Sequence, residues 1–538
     1  MCKRFLLDCT LRDGGYLNDW AFGKDNITYI FERLVSSGVD VIEVGFLDDR
    51  RMFDPDRTIM PRTSCVQQIF GGVKRGGAMV VGMIDFGTCG IENLQPCEES
   101  YLDGIRVIFK KDKMVPAIEF CKQVKSLGYK VFAQLVSVTS YSDEELRQVV
   151  DLVNACHPYA MSMVDTYGLC DAVKLSHIIE VVDASLDRDI VLGYHAHNNF
   201  QLGYANAVSV LNSGLDRDVL VDGTLYGMGK SAGNAPLELL AMYMNLNYGK
   251  QYDLGQIQET ISTCILDLYR KKPWGYTLFY YIAALNRCHP DYVSFLMNKR
   301  SLSVSSINEI LQQIPEGKKL GKDMKMIEAL YLEYQSRKCD DGEALGQLRA
   351  ALSEKPVLMV GPGRNAQVEI NKIERHIHDC APIVISVNFI PPDFAVDYMF
   401  LTNSRRYLQM SNHLALSENR SFPIIATSNV TSTEGKFSYV VSYCSLIDPE
   451  AEFPDNSMVM LIKLLQKVGV KEIFLAGFDG YSPDDVNYFD SNKEYSFVRA
   501  KANSLNEYAK TFFAEQKPLV HIHFITTSRY QEQKNETI

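Results

Sequence analysis

The chain of 538 residues holds no apolar run near the ~18 residues a membrane-crossing helix needs. Its 13 cysteines are scattered without a single CxxC pair. The first absence excludes a transmembrane helix. The second sets aside a disulfide framework and fits reduced thiols. There is no surplus of positive charge either: 55 Lys and Arg stand against 66 Asp and Glu, for a net charge of −11. That balance argues against wholesale binding to nucleic acid or to an anionic membrane surface. Internal repeats and low-complexity tracts are also missing. The apolar stretch Phe5-Leu6-Leu7 is too short for a secretory signal, so a cytoplasmic location is expected. With 46% hydrophobic and 22% charged residues, the composition is that of a globular protein of two or three domains.

From residue 5 to about 245, short apolar runs alternate with longer amphipathic stretches. The strand candidates are 5–9, 40–46, 78–85, 104–109, 130–136, 160–165, 189–197 and 218–224. Segments such as 27–38, 114–128 and 143–157 between them have helical spacing. Strand–helix alternation repeated eight times over this length predicts an α/β fold, a parallel (β/α)8 TIM barrel over residues 1–245. Residues 246–337 read as a helical extension, 338–355 as a linker, and 356–538 as a second, Rossmann-like α/β domain.

In such barrels chemistry gathers at the C-terminal ends of the strands. Those ends carry Arg12-Asp13, Glu43, Asp85, Lys110, Gln134, Asp165-Thr166, His195/His197 and Asp222. His195 and His197 have most weight, because period-two alternation puts residues i and i+2 on one face of a strand. Two imidazoles beside a carboxylate such as Asp13 make a metal site with open positions. Mn²⁺ or Mg²⁺ suits that donor set, with Zn²⁺ or Fe²⁺ also chemically admissible.

The motifs "TLRDGG" (10–15), "DTYG" (165–168), "HAHNN" (195–199) and "GMGKSAGNAPLE" (227–238) resemble, in this order, the HMG-CoA-lyase-like (DRE-TIM metallolyase) superfamily. The last motif lacks the Glu-Arg of the Claisen-type synthases and the Cys-containing loop of HMG-CoA lyase, and is most similar to 4-hydroxy-2-oxovalerate aldolases. The resemblance implies Asp13, His195 and His197 as metal ligands. Asn234 is implied as a fourth ligand, with a helix N-cap as the equal alternative. Arg12 is implied as the cation that stabilises an enolate oxygen, and Thr166 as a contact to the substrate carboxylate, with a strand-end cap as the alternative. Glu43 and Gln134, also at strand ends, are expected to line the substrate. Where the aldolases carry a His three residues after the metal Asp, this chain has Tyr16. A phenol of ordinary pKa ~10 is a poor base near neutrality unless its surroundings lower it. Tyr16 as a catalytic residue beside Arg12, working with a metal-bound hydroxide, is one expectation. Another group as the base and a different reaction are the alternatives, and the substrate turns on this position.

The implied activity is an aldolase that cleaves or forms a 4-hydroxy-2-oxo acid through a pyruvate enolate at a divalent metal. Its partners would be small-molecule 2-oxo acids and aldehydes. A homo-oligomer and a dehydrogenase partner, as found with related aldolases, are further expectations. Claisen-type condensation of acyl-CoA with a 2-oxo acid is the alternative. In the second domain, VLMVGPGRNA (357–366) places Gly-Pro-Gly after a strand, where backbone N–H groups are expected to approach a phosphate. With GVKEIFLAGFDGY (469–481), this piece distantly resembles sialyltransferase-like, nucleotide-sugar-binding domains. A glycosyltransferase-like activity there would make the protein bifunctional.

Overall fold

The computed structural model describes residues 2–531 apart from 300–301, 336–338, 405, 408–409, 411–421, 431–436, 449–450, 490–496 and 517–518. The expected junction between helical extension and linker, at 337–338, lies outside the described residues. Two compact units divide the chain, Met1–Pro290 and Asp291–Ile538, so their boundary falls within the stretch read as one extension. None of the 13 cysteines is disulfide-bonded. Among the described residues no helix is long and apolar enough to cross a membrane.

The first unit is a closed parallel barrel. Its strands are Arg4–Asp8 (β1), Val41–Leu47 (β2), Met79–Asp85 (β4), Gly104–Phe109 (β5), Lys130–Leu135 (β6), Ala160–Asp165 (β7), Val191–Ala196 (β8) and Val219–Gly223 (β9). A two-residue strand, Ile59–Met60 (β3), pairs with β2 outside the ring. The ring closes because β1 pairs with both β2 and β9. Leu7 sits opposite Val41 on one side and Asp222 on the other.

Alternation along these strands sorts the barrel interior into layers. At the bottom Leu7, Val41, Val81, Phe132, Ala160, Val191 and Leu220 form an apolar plug. Two residues further along, six of the strands place Cys9, Glu43, Arg106, Gln134, Ser162 and Asp222, all buried, while β4 and β8 place Met83 and Gly193. The apolar plug closes the bottom of the barrel, so this polar layer opens only toward the mouth. The opposite faces of the strands pack on the helices through a large apolar cluster that includes Leu6, Ile42, Ile105, Val131 and Leu192.

The second unit contains a parallel sheet of Val357–Val360 (β10), Ile383–Val387 (β11), Tyr398–Leu401 (β12), Ile424–Thr427 (β13), Tyr439–Val441 (β14), Glu472–Ala476 (β15) and His521–Phe524 (β16). Its order is β14-β13-β12-β11-β10-β15-β16, so the direction of winding reverses at β10. This is the doubly wound arrangement that strand–helix alternation predicts.

Candidate active site

Arg12 and Asp13 lie on one turn of helix, Thr10–Asp13, that follows β1. Gly15 is needed for closeness: a Cβ there would come within 2.0 Å of the Trp20 indole. That indole donates its N–H to the Arg12 carbonyl at 2.8 Å, which pins the turn.

Arg12 is held on two sides. Its Nε donates to Glu43 Oε2 at 2.7 Å, and a terminal nitrogen makes a short contact with Asp13 Oδ2. Glu43 also faces Arg106, whose Nη1 is 3.2 Å from Oε1. The same Arg106 reaches Asp222 Oδ2 at 2.5 Å and Gln134 Oε1 at 3.0 Å. Gln134 passes its own N–H to Ser162 Oγ at 2.9 Å. Glu43, expected as a substrate contact, holds Arg12 through Oε2, while its Oε1 has no hydrogen-bond partner. Gln134, expected as another, is hydrogen-bonded to Arg106 and Ser162. Thr166 accepts the Ser137 N–H at 2.8 Å, which ties together the loops after β6 and β7. Its neighbour Asp165 staples its own loop by accepting from Leu169 N and Cys170 N.

The three expected ligands come together. One ligand atom each from Asp13, His195 and His197 lies within 4.8 Å of the others, and all three residues are buried. Second partners set the tautomers. His195 Nδ1 sits 2.9 Å from Asp222 Oδ2. His197 Nδ1 is 3.1 Å from the Lys230 carbonyl, which can only accept. Each Nδ1 therefore carries a proton; the neutral His197 keeps its Nε2 lone pair for a ligand, while His195 Nε2 lies 3.4 Å from Asp13 Oδ2. Burial holds the His197 pKa down to about 4, so the ring is neutral near pH 7. Burial opposes charge on His195 as well, but hydrogen bonds to Asp13 and Asp222 outweigh it and raise that pKa. At Asp13 burial is overcome by Arg12 and the two histidines, which keep the carboxylate ionised well below the usual range.

Asn234 does not cap the following helix. The following helix runs from Leu237 to Tyr248 and its N-cap position is Pro236. The Asn234 amide nitrogen donates to Met228 O at 3.2 Å, while its Oδ1 is buried without a partner. An isolated antiparallel bridge pairs the backbones of His197 and Asn234. Gly229 leaves the space between: a Cβ there would lie 2.1 Å from Asn234 Nδ2 and 2.7 Å from Asp13 Oδ1. An orphaned amide oxygen, two imidazoles and an ionised carboxylate make a donor set that fits a divalent cation. Charge agrees with this, since Arg12 and Arg106 face three carboxylates, Asp13, Glu43 and Asp222. Cys9, His195 and Asp222 form a second close group. Burial pushes the Cys9 thiol well above its ordinary pKa.

Tyr16 is 40% exposed, with its ring edge-on to Trp20 at 5.0 Å and Phe46 at 6.0 Å. The Lys230 ammonium sits 5.3 Å from the ring centroid. Burial at this wall pushes the phenol pKa up, and Asp13, Asp85 and Glu43 add to the rise against the pull of Arg12. The surroundings do not lower it. Asp85 and Lys110 stand to one side, with Arg50 and Lys113, around a separate hollow of about 210 Å³.

The residue that sequence reasoning passed over is Arg106. Its signal was present: a lone arginine at an inward position of the apolar run GIRVIF. Asp222 was noted as a strand-end acid, but its hold on His195 needed the fold.

Residues 107–264 match the HMGL-like family model, so the barrel carries an HMGL-like domain, as its motifs indicated. The matched residues include His195, His197 and Asn234. The chain is 27% identical over 249 residues to a 4-hydroxy-2-oxovalerate aldolase of Chloroflexus aurantiacus, covering 45% of this chain and 68% of that one. It is 23% identical over 321 residues to an oxaloacetate decarboxylase of Mycobacterium tuberculosis, covering 56% of this chain and 89% of that one. Among solved structures it is similar to an HMG-CoA lyase of Bacillus subtilis, at a TM-score of 0.41 and 16% identity over 51% of this chain and 95% of that one.

Proposed function

We propose that the barrel is a divalent-metal-dependent carbon–carbon lyase acting on 2-oxo acids, and that its leading reaction is aldol cleavage of a 4-hydroxy-2-oxo acid to a 2-oxo acid and an aldehyde. The observation that carries this reading is the convergence of Asp13, His195 and His197 beside Arg12, with the Asn234 oxygen unsatisfied at the same place. A divalent cation bound there, with Mn²⁺ or Mg²⁺ the best match to nitrogen and oxygen donors, supplies Lewis acidity toward the carboxylate and keto oxygens of the substrate.

The chain's own residues do the rest. Arg12 holds a fixed positive charge where negative charge grows on the keto oxygen, and Glu43 and Arg106 keep it from turning away. Such preorganised charge costs no reorganisation during reaction. Thr166 orients the substrate carboxylate from the end of β7. Asp222 fixes the His195 tautomer.

Tyr16 shapes the proton inventory. Aldol cleavage needs a base for the 4-hydroxyl, and a phenol with a raised pKa stays protonated near neutrality. It is better suited to return a proton to the enolate carbon than to take one. That favours a second reading, decarboxylation of a 2-oxo dicarboxylic acid, which requires the same electron sink and a proton donor but no base at a hydroxyl. The likeness to an oxaloacetate decarboxylase supports it.

The test is a pyruvate-release assay on the full chain with added Mn²⁺, run against 4-hydroxy-2-oxo acids and oxaloacetate. Pyruvate from the hydroxy acids supports the aldolase, and pyruvate from oxaloacetate alone supports the decarboxylase. Consumption of acyl-CoA in place of either would favour the Claisen-type alternative. If no 2-oxo acid is turned over, the lyase reading fails.

A further inference from the structure

The second unit contains a cavity of about 710 Å³. Its sheet reverses direction at β10, which has β11 on one side and β15 on the other. In such sheets the loops leaving the two strands at the reversal part to opposite faces, and a crevice opens at their carboxyl ends. The cavity lies there: Gly363 follows β10, Asn388 follows β11, and Phe478 and Asp479 follow β15.

The glycine loop does not act as expected of a phosphate cradle. Gly361 N donates to Ala476 O at 2.8 Å and Gly363 N to Gly477 O at 2.9 Å. Asn365 N donates to Asp479 Oδ2 at 2.8 Å, so a carboxylate already occupies the anion's place. A Cβ at Gly363 would come within 2.5 Å of the Gly477 carbonyl, so this glycine lets the two loops close on each other. At the start of the helix Ser457–Lys467, Asn456 accepts from Met458 N and Val459 N. Lys501, on the cavity wall, is paired with Glu452 at 2.8 Å. None of these features calls for an anion.

Two polar groups on the cavity wall are unsatisfied. Asp479 Oδ1 is buried without a partner, and so are both amide atoms of Gln335, a residue only 3% exposed. A buried amide that neither donates nor accepts is costly, so each such group calls for an explanation. Tyr331, Tyr443, Phe453 and Phe478 line the same cavity.

We propose that this cavity is a second ligand site, for a ring bearing adjacent hydroxyl groups, held by the Asp479 carboxylate and the Gln335 amide against the aromatic wall. A hydroxyl donates to Asp479 Oδ1, and another both donates to and accepts from Gln335, matching the dual character of an amide. The apolar face of the ring packs on the aromatic side chains. Such a ring comes as the ribose of a nucleoside or as a free hexose, and a cavity of this volume admits either.

Isothermal titration calorimetry of the full chain with uridine and with glucose tests this, one probe for each source. One probe is expected to bind. Asp479→Asn and Gln335→Leu should each weaken it at least about tenfold, because a site built around hydroxyl groups discriminates strongly when its partner is lost. Both variants should keep the wild-type thermal midpoint. If either unfolds, 2′-deoxyuridine or 2-deoxyglucose on the unaltered chain decides, and its binding should be weaker by a similar factor. Binding of neither probe, or equal binding by the folded variants or the deoxy probe, overturns the proposal.

Discussion

Arg12 Nε donates to Glu43 Oε2 at 2.7 Å, with both side chains sealed from solvent. The bond turns the other edge of the guanidinium toward Asp13, so the direction of the active-site cation is set from the barrel interior. Arg12→Lys is expected to lower kcat by about 10²–10³-fold, the usual loss when a preorganised charge is displaced. Glu43→Gln should lower kcat with little change in KM, since it acts through Arg12. Residues that share one interaction are not additive. The double variant should therefore be scarcely slower than Arg12→Lys alone, as steady-state kinetics would show, and multiplied effects would refute the coupling.

The orphaned oxygen of Asn234 leads to a metal measurement. Equilibrium dialysis against Mn²⁺ should find about one ion per wild-type chain and none with His195→Ala, a loss expected when a ligand is removed. Asn234→Leu keeps the bulk and removes the oxygen, and it should weaken binding by about 10–100-fold. Wild-type affinity in that variant would return Asn234 to a structural role.

Tyr16 should not titrate in the working range, because burial pushes its pKa up. Tyr16→Phe is expected to slow turnover while leaving the shape of the kcat/KM profile unchanged between about pH 6 and 9. If a limb of the profile vanishes with the hydroxyl, Tyr16 is the titrating base after all.

Asp8 provides a pH test of stability. Burial raises its carboxyl to about 7, despite two hydrogen bonds from Thr10. The unfolded carboxyl titrates near ~3.9. Between these values the folded chain keeps a proton that the unfolded chain releases. This group therefore lowers wild-type stability as pH rises, by about 1.4 kcal/mol per pH unit, and the slope ends above the folded pKa. Asp8→Asn should remove the slope, so the difference between wild type and variant in urea unfolding should shift toward the variant from about pH 4 to 7. A difference independent of pH would show that Asp8 is ionised in the fold.

Much of the barrel is legible in the chain because alternation is a local property. Apolar runs of strand length separated by amphipathic stretches define the eight strands. Period two alone places His195 and His197 on one face, and the turn after β1 brings Asp13 to the same rim. The sequence by itself therefore determined the fold class and the grouping of Asp13, His195 and His197 at one rim.

What a residue does inside the barrel depends on who stands across from it, and only the tertiary structure decides that. Arg106 on β5 meets Asp222, 116 residues away on β9, and also faces Glu43 and Gln134. The pattern Asn-Ala-Pro-Leu-Glu allows a cap or a ligand at Asn234. The cap is removed by a helix that begins three residues later than the asparagine, and a backbone bridge sets Asn234 beside His197. That a tyrosine is protonated near neutrality is readable from its type; that its surroundings raise the pKa further and do not lower it is decided by the desolvation and neighbouring carboxylates of the fold. Side-chain direction is set by covalent geometry over two or three residues. Charge pairing and desolvation are set by distances across a closed ring, which exist only once the ring has closed.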